Sequence, residues 1–243
     1  MTLFINDTYE SMSAKAAGAV IHIIQSQKNP VLSPASGDSP TGLYRQLINE
    51  VNKNETDISR CFFVGLDEWA GMNGNDEGSC RFHLNNQLFN PLQIAENKIG
   101  FFDGRAKDFQ AECVRIENFI QKHGGIDLAI VGLGMNGHVG MNEPGTSPSL
   151  HSHVTEIDSI TQQVGQKYFK EKTALSKGIT LGIANLMEAR NVFLLVNGKK
   201  KAEIVKQVLE GEISTQFPAS FLRNHKNFSV YLDNEAAGLL QKK

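Results

Sequence analysis

Residues 126–145, IDLAIVGLGMNGHVGMNEPG, constrain the fold of this chain more than any other stretch. Residues 126–131 are a nearly uninterrupted apolar run of strand length. Such a run predicts a strand buried on both faces, as in a parallel sheet covered by helices. The character then changes within one residue. Gly132, Gly134, Gly137 and Gly140 follow, with Asn136, His138, Asn142 and Glu143 set among them. Glycines just past a buried strand let the backbone take left-handed angles and come close to a ligand. Open α/β sheets bind ligands there, outside the carboxyl ends of their strands. A plain glycine-rich turn has no use for so many polar side chains, so the stretch reads as an active-site loop.

Gly132, Gly134 and Gly137 also satisfy G-x-G-x-x-G. A dinucleotide fingerprint should open a helix in the first βα unit, with an acidic residue about 20 positions on. Here Pro144-Gly145 stops any continuing helix, so a nucleotide is not expected.

The rest of the chain narrows the class. Its 243 residues suffice for one domain over 1–243 with a buried core and a small lid. A net charge of −2 gives no electrostatic case for nucleic acid or an anionic membrane as partner. Cys61, Cys80 and Cys113 are odd in number and lack a C-x-x-C pair. That pattern fits free thiols in the cytoplasm and argues against a zinc site. The N-terminus lacks the basic-then-apolar order of a signal peptide. No apolar run approaches the roughly 20 residues of a membrane span.

Taken in order, residues 8–28 read as an amphipathic helix capped by Asp7 or Thr8, with Ala17, Val20, Ile21 and Ile24 inward. A short strand at 30–35 leads through Ser36, Gly37, Asp38 and Ser39 into a helix over about 40–53. Ser39 as cap and Pro40 at the first helical position are the start signal. Free N–H groups at such a start favour an anion. On the loop alone, a phosphate cradle and a plain capped helix fit equally well. The absence of G-x-x-x-x-G-K-[ST] argues against nucleoside triphosphates. Asp38 is out of place beside a phosphate unless its carboxylate points away.

A buried strand at 61–66 ends in Asp67-Glu68-Trp69, two carboxylates that are candidate bases with a tryptophan wall. Ser79 caps a helix over about 80–89, on which His83 reads as a surface or helix-end residue. A helix over 108–123 is stopped by Gly124-Gly125. Residues 146–176 are polar and weakly periodic, suiting a mobile lid. His151 and His153 lack a third ligand and read as exposed strand residues. Residues 178–183 lead into a helix ending near Arg190, and strands at 191–196 and 228–232 flank a helix over 201–211. Residues 217–222 suggest a helical turn, and 235–241 a closing helix. Three lysines, 199–201, stand where a helix dipole disfavours them, which suggests that one is kept for an anion. The whole is an α/β, Rossmann-like, mostly parallel sheet with helices on both faces.

An anion loop, two acid/base groups and no metal set suit proton shuttling on a phosphorylated substrate. The stretches SGDSPTGLY, LDEWAG, GLGMNGHVGMNEPGTS, KGITLGI, VNGKKKAE and FPASFL cover nearly the whole length. On these stretches the chain resembles the glucosamine-6-phosphate deaminase (isomerase) family. The LDEW, GLGxNGHxGxNEPG and GITLGI wording is most similar to its galactosamine-6-phosphate branch.

The resemblance implies a modified Rossmann-like sheet without metal or nucleotide cofactor, acting on a phosphosugar. It implies aldose–ketose isomerisation with loss of ammonia, giving a ketohexose 6-phosphate. It makes Asp67 the base that moves a proton from C2 to C1, His138 the ring-opening acid/base, and Glu143 its orienting carboxylate. It makes Ser36, Gly37, Asp38 and Ser39 the phosphate loop, with Gly137 at the substrate. Lys201 matches the family's phosphate lysine. Lys167 stands where better-known members carry an arginine and lacks the bidentate fork. Asn136 stands where some members carry an aspartate; an amide orients the ring without charging it. A homo-oligomer is among the assemblies the resemblance allows.

The nearest alternative, a 6-phosphogluconolactonase, should carry an arginine after the Asp-Glu pair and lack Asn-Glu-Pro-Gly. Trp69 and residues 142–145 count against it. A sugar-phosphate sensor without catalysis would not need Asp67, His138 and Glu143 together.

Overall fold

The computed structural model describes residues 1–241. The elements in chain order are β1 (Thr2–Asn6), α1 (Tyr9–Ser26), β2 (Val31–Pro34), α2 (Thr41–Asn52), β3 (Phe62–Val64), β4 (Asp67–Trp69), α3 (Cys80–Leu84) and β5 (Ile99–Gly100). There follow α4 (Phe109–Lys122), β6 (Leu128–Gly132), β7 (His153–Glu156), α5 (Ser159–Gly165), β8 (Lys177–Thr180), α6 (Ile183–Glu188), β9 (Val192–Val196), α7 (Ala202–Glu210) and β10 (Phe228–Asp233).

Seven strands form one parallel sheet in the order β1-β10-β9-β6-β2-β3-β5. Its middle is buried on both faces, as the apolar run at 126–131 requires. Ala129 and Val131 of β6 face the core shared with Ile116 of α4, Leu186 of α6 and Val208 of α7. Leu128 and Ile130 face the opposite core with Val20 of α1, Leu43 of α2 and Leu84 of α3. Full burial of each such aliphatic side chain stabilises by about 1.5–3 kcal/mol.

The winding fixes where a ligand can sit. From the centre, β2, β3 and β5 proceed toward one edge, while β6, β9 and β10 proceed toward the other. Neighbouring β2 and β6 therefore send their loops apart and open a crevice between them. A second, antiparallel sheet β4-β8-β7 stands over that crevice, with Asp67 opposite Thr180 and Thr180 opposite His153.

Several expectations need correction. Pro40, not Ser39, occupies the cap of α2, and no side chain caps that helix. The Ser39 hydroxyl instead donates to Asn197 Oδ1 at 2.7 Å. Residues 235–239 form turns rather than a helix. The segment is too short to offset helix nucleation and contains Gly238. The Asp233 carboxylate ties the turn instead, accepting from the N–H groups of Ala236 and Gly198. Within 146–176, a strand, a helix and a 3-10 turn alternate with irregular chain. β1 and β5 were not foreseen.

Candidate active site

The crevice holds a cleft of about 200 Å³. Ser36, Gly37, Asp38, Ser39, Asp67, His138, Lys167 and Lys201 all line it. These residues come from five separate segments, so the fold alone assembles them.

At one end lies the loop between β2 and α2. Among the described residues, no hydrogen bond takes the N–H of Ser36, Gly37, Asp38 or Ser39. Gly37 holds φ +120°, a backbone angle that side-chain-bearing residues rarely adopt. Four free donors before a 12-residue helix form an anion nest at the positive end of its dipole. Asp38 points away, as a phosphate requires: its carboxylate accepts from Lys167 Nζ across the mouth of the cleft. Both partners are about half exposed or more.

Lys201 caps α7 and turns inward, donating from Nζ to the Leu133 carbonyl, while Lys199 and Lys200 face solvent. Burial, then the charge of Lys167, pushes its pKa down to about 8. A cation held in this state gains from a bound anion.

Asp67, on β4, is 9% exposed. Burial raises its pKa to about 6, against a weaker opposing hydrogen bond from Cys80. Glu68, its rival in the sequence, is fully buried and otherwise engaged. Its oxygens accept the N–H groups of Trp69, Cys80 and Arg81, which closes the start of α3.

His138 stands on the loop after β6, with its ring packed on Gly134. A Cβ at Gly134 would lie 2.2 Å from that ring. Its Nδ1 meets Asn136 Oδ1 at 2.7 Å and Thr161 Oγ1 at 3.0 Å. Glu143 Oε2 lies 3.6 Å from Nδ1 and accepts from Asn136 Nδ2 at 2.8 Å and Thr161 Oγ1 at 3.1 Å. The carboxylate thus reaches the imidazole largely through an amide and a hydroxyl. Burial, then the Lys201 charge, lowers the His138 pKa to about 4. Burial raises that of Glu143.

Gly137 is not part of the cleft wall. It packs against Phe217, and its carbonyl accepts the Ala219 N–H at 3.0 Å. His83, in the last turn of α3, also lines the cleft, and its Nε2 is sealed and unpartnered. Tyr168, Thr161 and Cys80 also line it, and no local pattern singled them out. His151 pairs with Glu188 at the surface. Among the described residues, no cluster of His, Cys, Asp and Glu could hold a metal ion. Nor is any helix long and apolar enough to cross a membrane.

An open parallel sheet with an anion nest and desolvated acid/base groups at its switch point defines an α/β class built to hold and transform a small anionic ligand. Residues 6–231 match the family described as glucosamine-6-phosphate isomerases/6-phosphogluconolactonase, and the chain belongs to that family. It is 36% identical to the glucosamine-6-phosphate deaminase of Clostridium perfringens, covering 99% of this chain and 100% of that one. It is 37% identical to glucosamine-6-phosphate deaminase 1 of Bacillus subtilis, over 96% of each. A solved monomeric glucosamine-6-phosphate deaminase superposes with a TM-score of 0.95 at 36% identity, over 99% of this chain and 100% of that one. The 6-phosphogluconolactonase of Thermotoga maritima shares the fold, with a TM-score of 0.76 at 20% identity over 96% and 98%.

Proposed function

We propose that this chain is an amino-sugar-phosphate deaminase that converts glucosamine 6-phosphate and water to the ketohexose 6-phosphate and ammonia. The observation that carries this reading is one cleft lined by four free N–H groups, Lys201, Asp67 and His138. The N–H groups of Ser36, Gly37, Asp38 and Ser39, with Lys201 and Lys167, hold the phosphate. Nε2 of neutral His138 takes the proton of the sugar's O1 hydroxyl and returns it to the ring oxygen, opening the ring. Asn136 and Glu143 support the transient imidazolium. Asp67, ionised above about pH 6, removes the C2 proton and delivers it to C1. Water then adds at C2 and ammonia leaves.

The gluco substrate stands first because the relatives above carry that name. The galacto epimer is the second reading, favoured by the LDEW and GITLGI wording. The solved relative above is monomeric, which favours a monomer here. Buried free thiols at Cys61, Cys80 and Cys113 suit a reducing compartment such as the cytoplasm. The test is ammonia release from both amino-sugar phosphates, assayed side by side. Turnover of neither, with hydrolysis of a phosphogluconolactone instead, would overturn the reading.

A further inference from the structure

Thr161 lies on α5, in the segment that covers the cleft, and is 8% exposed. Its hydroxyl touches three members of the acid/base group: His138 Nδ1, Glu143 Oε2 and, at 3.4 Å, Asn136 Nδ2. Among the described residues, it is the only member of α5 hydrogen-bonded to that group. We propose that Thr161 is the positioning residue that seats His138 against Glu143 and fixes which ring nitrogen faces the sugar. The proposal rests on the ring-opening role given to His138 above.

The donor count carries the argument. An ionised carboxylate only accepts, so the single hydroxyl hydrogen goes to Glu143 Oε2. Both side-chain hydrogen bonds to that carboxylate, from Asn136 and Thr161, go to Oε2. The same oxygen takes an Nδ2 hydrogen of Asn136, which turns Asn136 Oδ1 to the ring. Two acceptors, Asn136 Oδ1 and the Thr161 lone pairs, therefore converge on Nδ1. That nitrogen must carry the hydrogen. Nε2 is left with its lone pair free for the O1 proton, the state a ring-opening base needs.

There is a second consequence of placement. α5 runs directly into the turn that carries Lys167, whose ammonium pairs with Asp38 of the phosphate loop. One short piece of chain thus contacts both the His138 group and the phosphate loop. Its displacement would take the hydroxyl from the ring, so the base is complete only with the cover in place.

The experiment compares wild type, Thr161→Val, which keeps the shape and removes the hydroxyl, and Thr161→Ser, which restores it. Steady-state kinetics on glucosamine 6-phosphate should show kcat of the valine variant lowered about 10- to 100-fold. KM should stay within about threefold of wild type, and serine should recover most of kcat. The Nδ1 proton of His138, read by 15N–1H NMR in the unliganded protein, should be sharp in wild type and serine. In the valine variant it should broaden through exchange with water. Unchanged kcat and an unchanged Nδ1 signal in the valine variant would overturn the proposal. So would equal losses in both variants, which mark a packing role. Were wild type inactive on amino-sugar phosphates while the NMR contrast held, the substrate assignment would fail and the positioning role would stand.

Discussion

Where the loop after β2 meets α2, the cleft presents backbone: four consecutive N–H groups that side-chain changes at any position but Gly37 would leave in place. Where β4 and the loop after β6 meet, it presents side chains, each moved off its ordinary pKa by burial. The first end recognises charge, and its donors need no tuning. The second performs chemistry and depends on dry surroundings. Binding at the first end is therefore expected to tolerate substitution, and turnover at the second is not.

The sharpest test is Asp67→Asn. Turnover should fall by about 10³-fold or more, while sugar-phosphate affinity measured by calorimetry stays within a few-fold. The same variant should be more stable. Burial raises the folded pKa of Asp67 from 3.8 to about 6, so the folded state holds its proton more tightly than the unfolded chain. Stability is thus lost as pH rises through that window and stays lower above it. At pH 7 the amide should regain up to about 3 kcal/mol, read as a higher Tm. Lower stability with normal turnover would dissolve the contrast between the two ends.

Next in size is Glu143→Gln. It removes the charge behind the imidazolium and should lower kcat about 10- to 100-fold with little change in KM. Lys201→Ala should do the reverse, raising KM about tenfold with kcat nearly kept. In wild type, kcat/KM should decline above about pH 8 as the Lys201 ammonium loses its proton. That decline should vanish in the alanine variant. The smallest effect is expected from Lys167→Ala, about two- to threefold in KM at physiological salt. Its exposed ammonium is screened and already paired with Asp38.

The same division explains what the sequence disclosed. The central strands were legible because a strand buried on both faces admits few polar residues, as in residues 128–131 and 192–196. The anion loop and the His138 loop were legible because each is one continuous stretch after such a strand. β1, β4, β5 and β8 were not foreseen as strands. They are two to five residues long and owe their form to partners distant in the chain. Thr161, Tyr168 and Cys80 escaped notice for a related reason: each becomes part of the cleft only when separate segments meet. His83 sits at its helix end, one of the two readings it had, but its place in the cleft was missed because the local helix gives no hint of the Tyr168 ring set 4.8 Å from its own. Ser39 was read as a cap because Ser-Pro is a common helix start. Its hydroxyl found Asn197, 158 positions away, instead.

The pairing of β1 with β10 places Thr2 beside Ser229. A nascent polypeptide emerging from the ribosome must therefore keep β1 waiting until β10, whose Ser229 lies 227 positions after Thr2, has been made. Leu3 and Ile5 are 39% and 49% exposed even in the finished molecule. During synthesis the β1 edge has no partner at all, and a trigger for aggregation or a chaperone's grip would act there first.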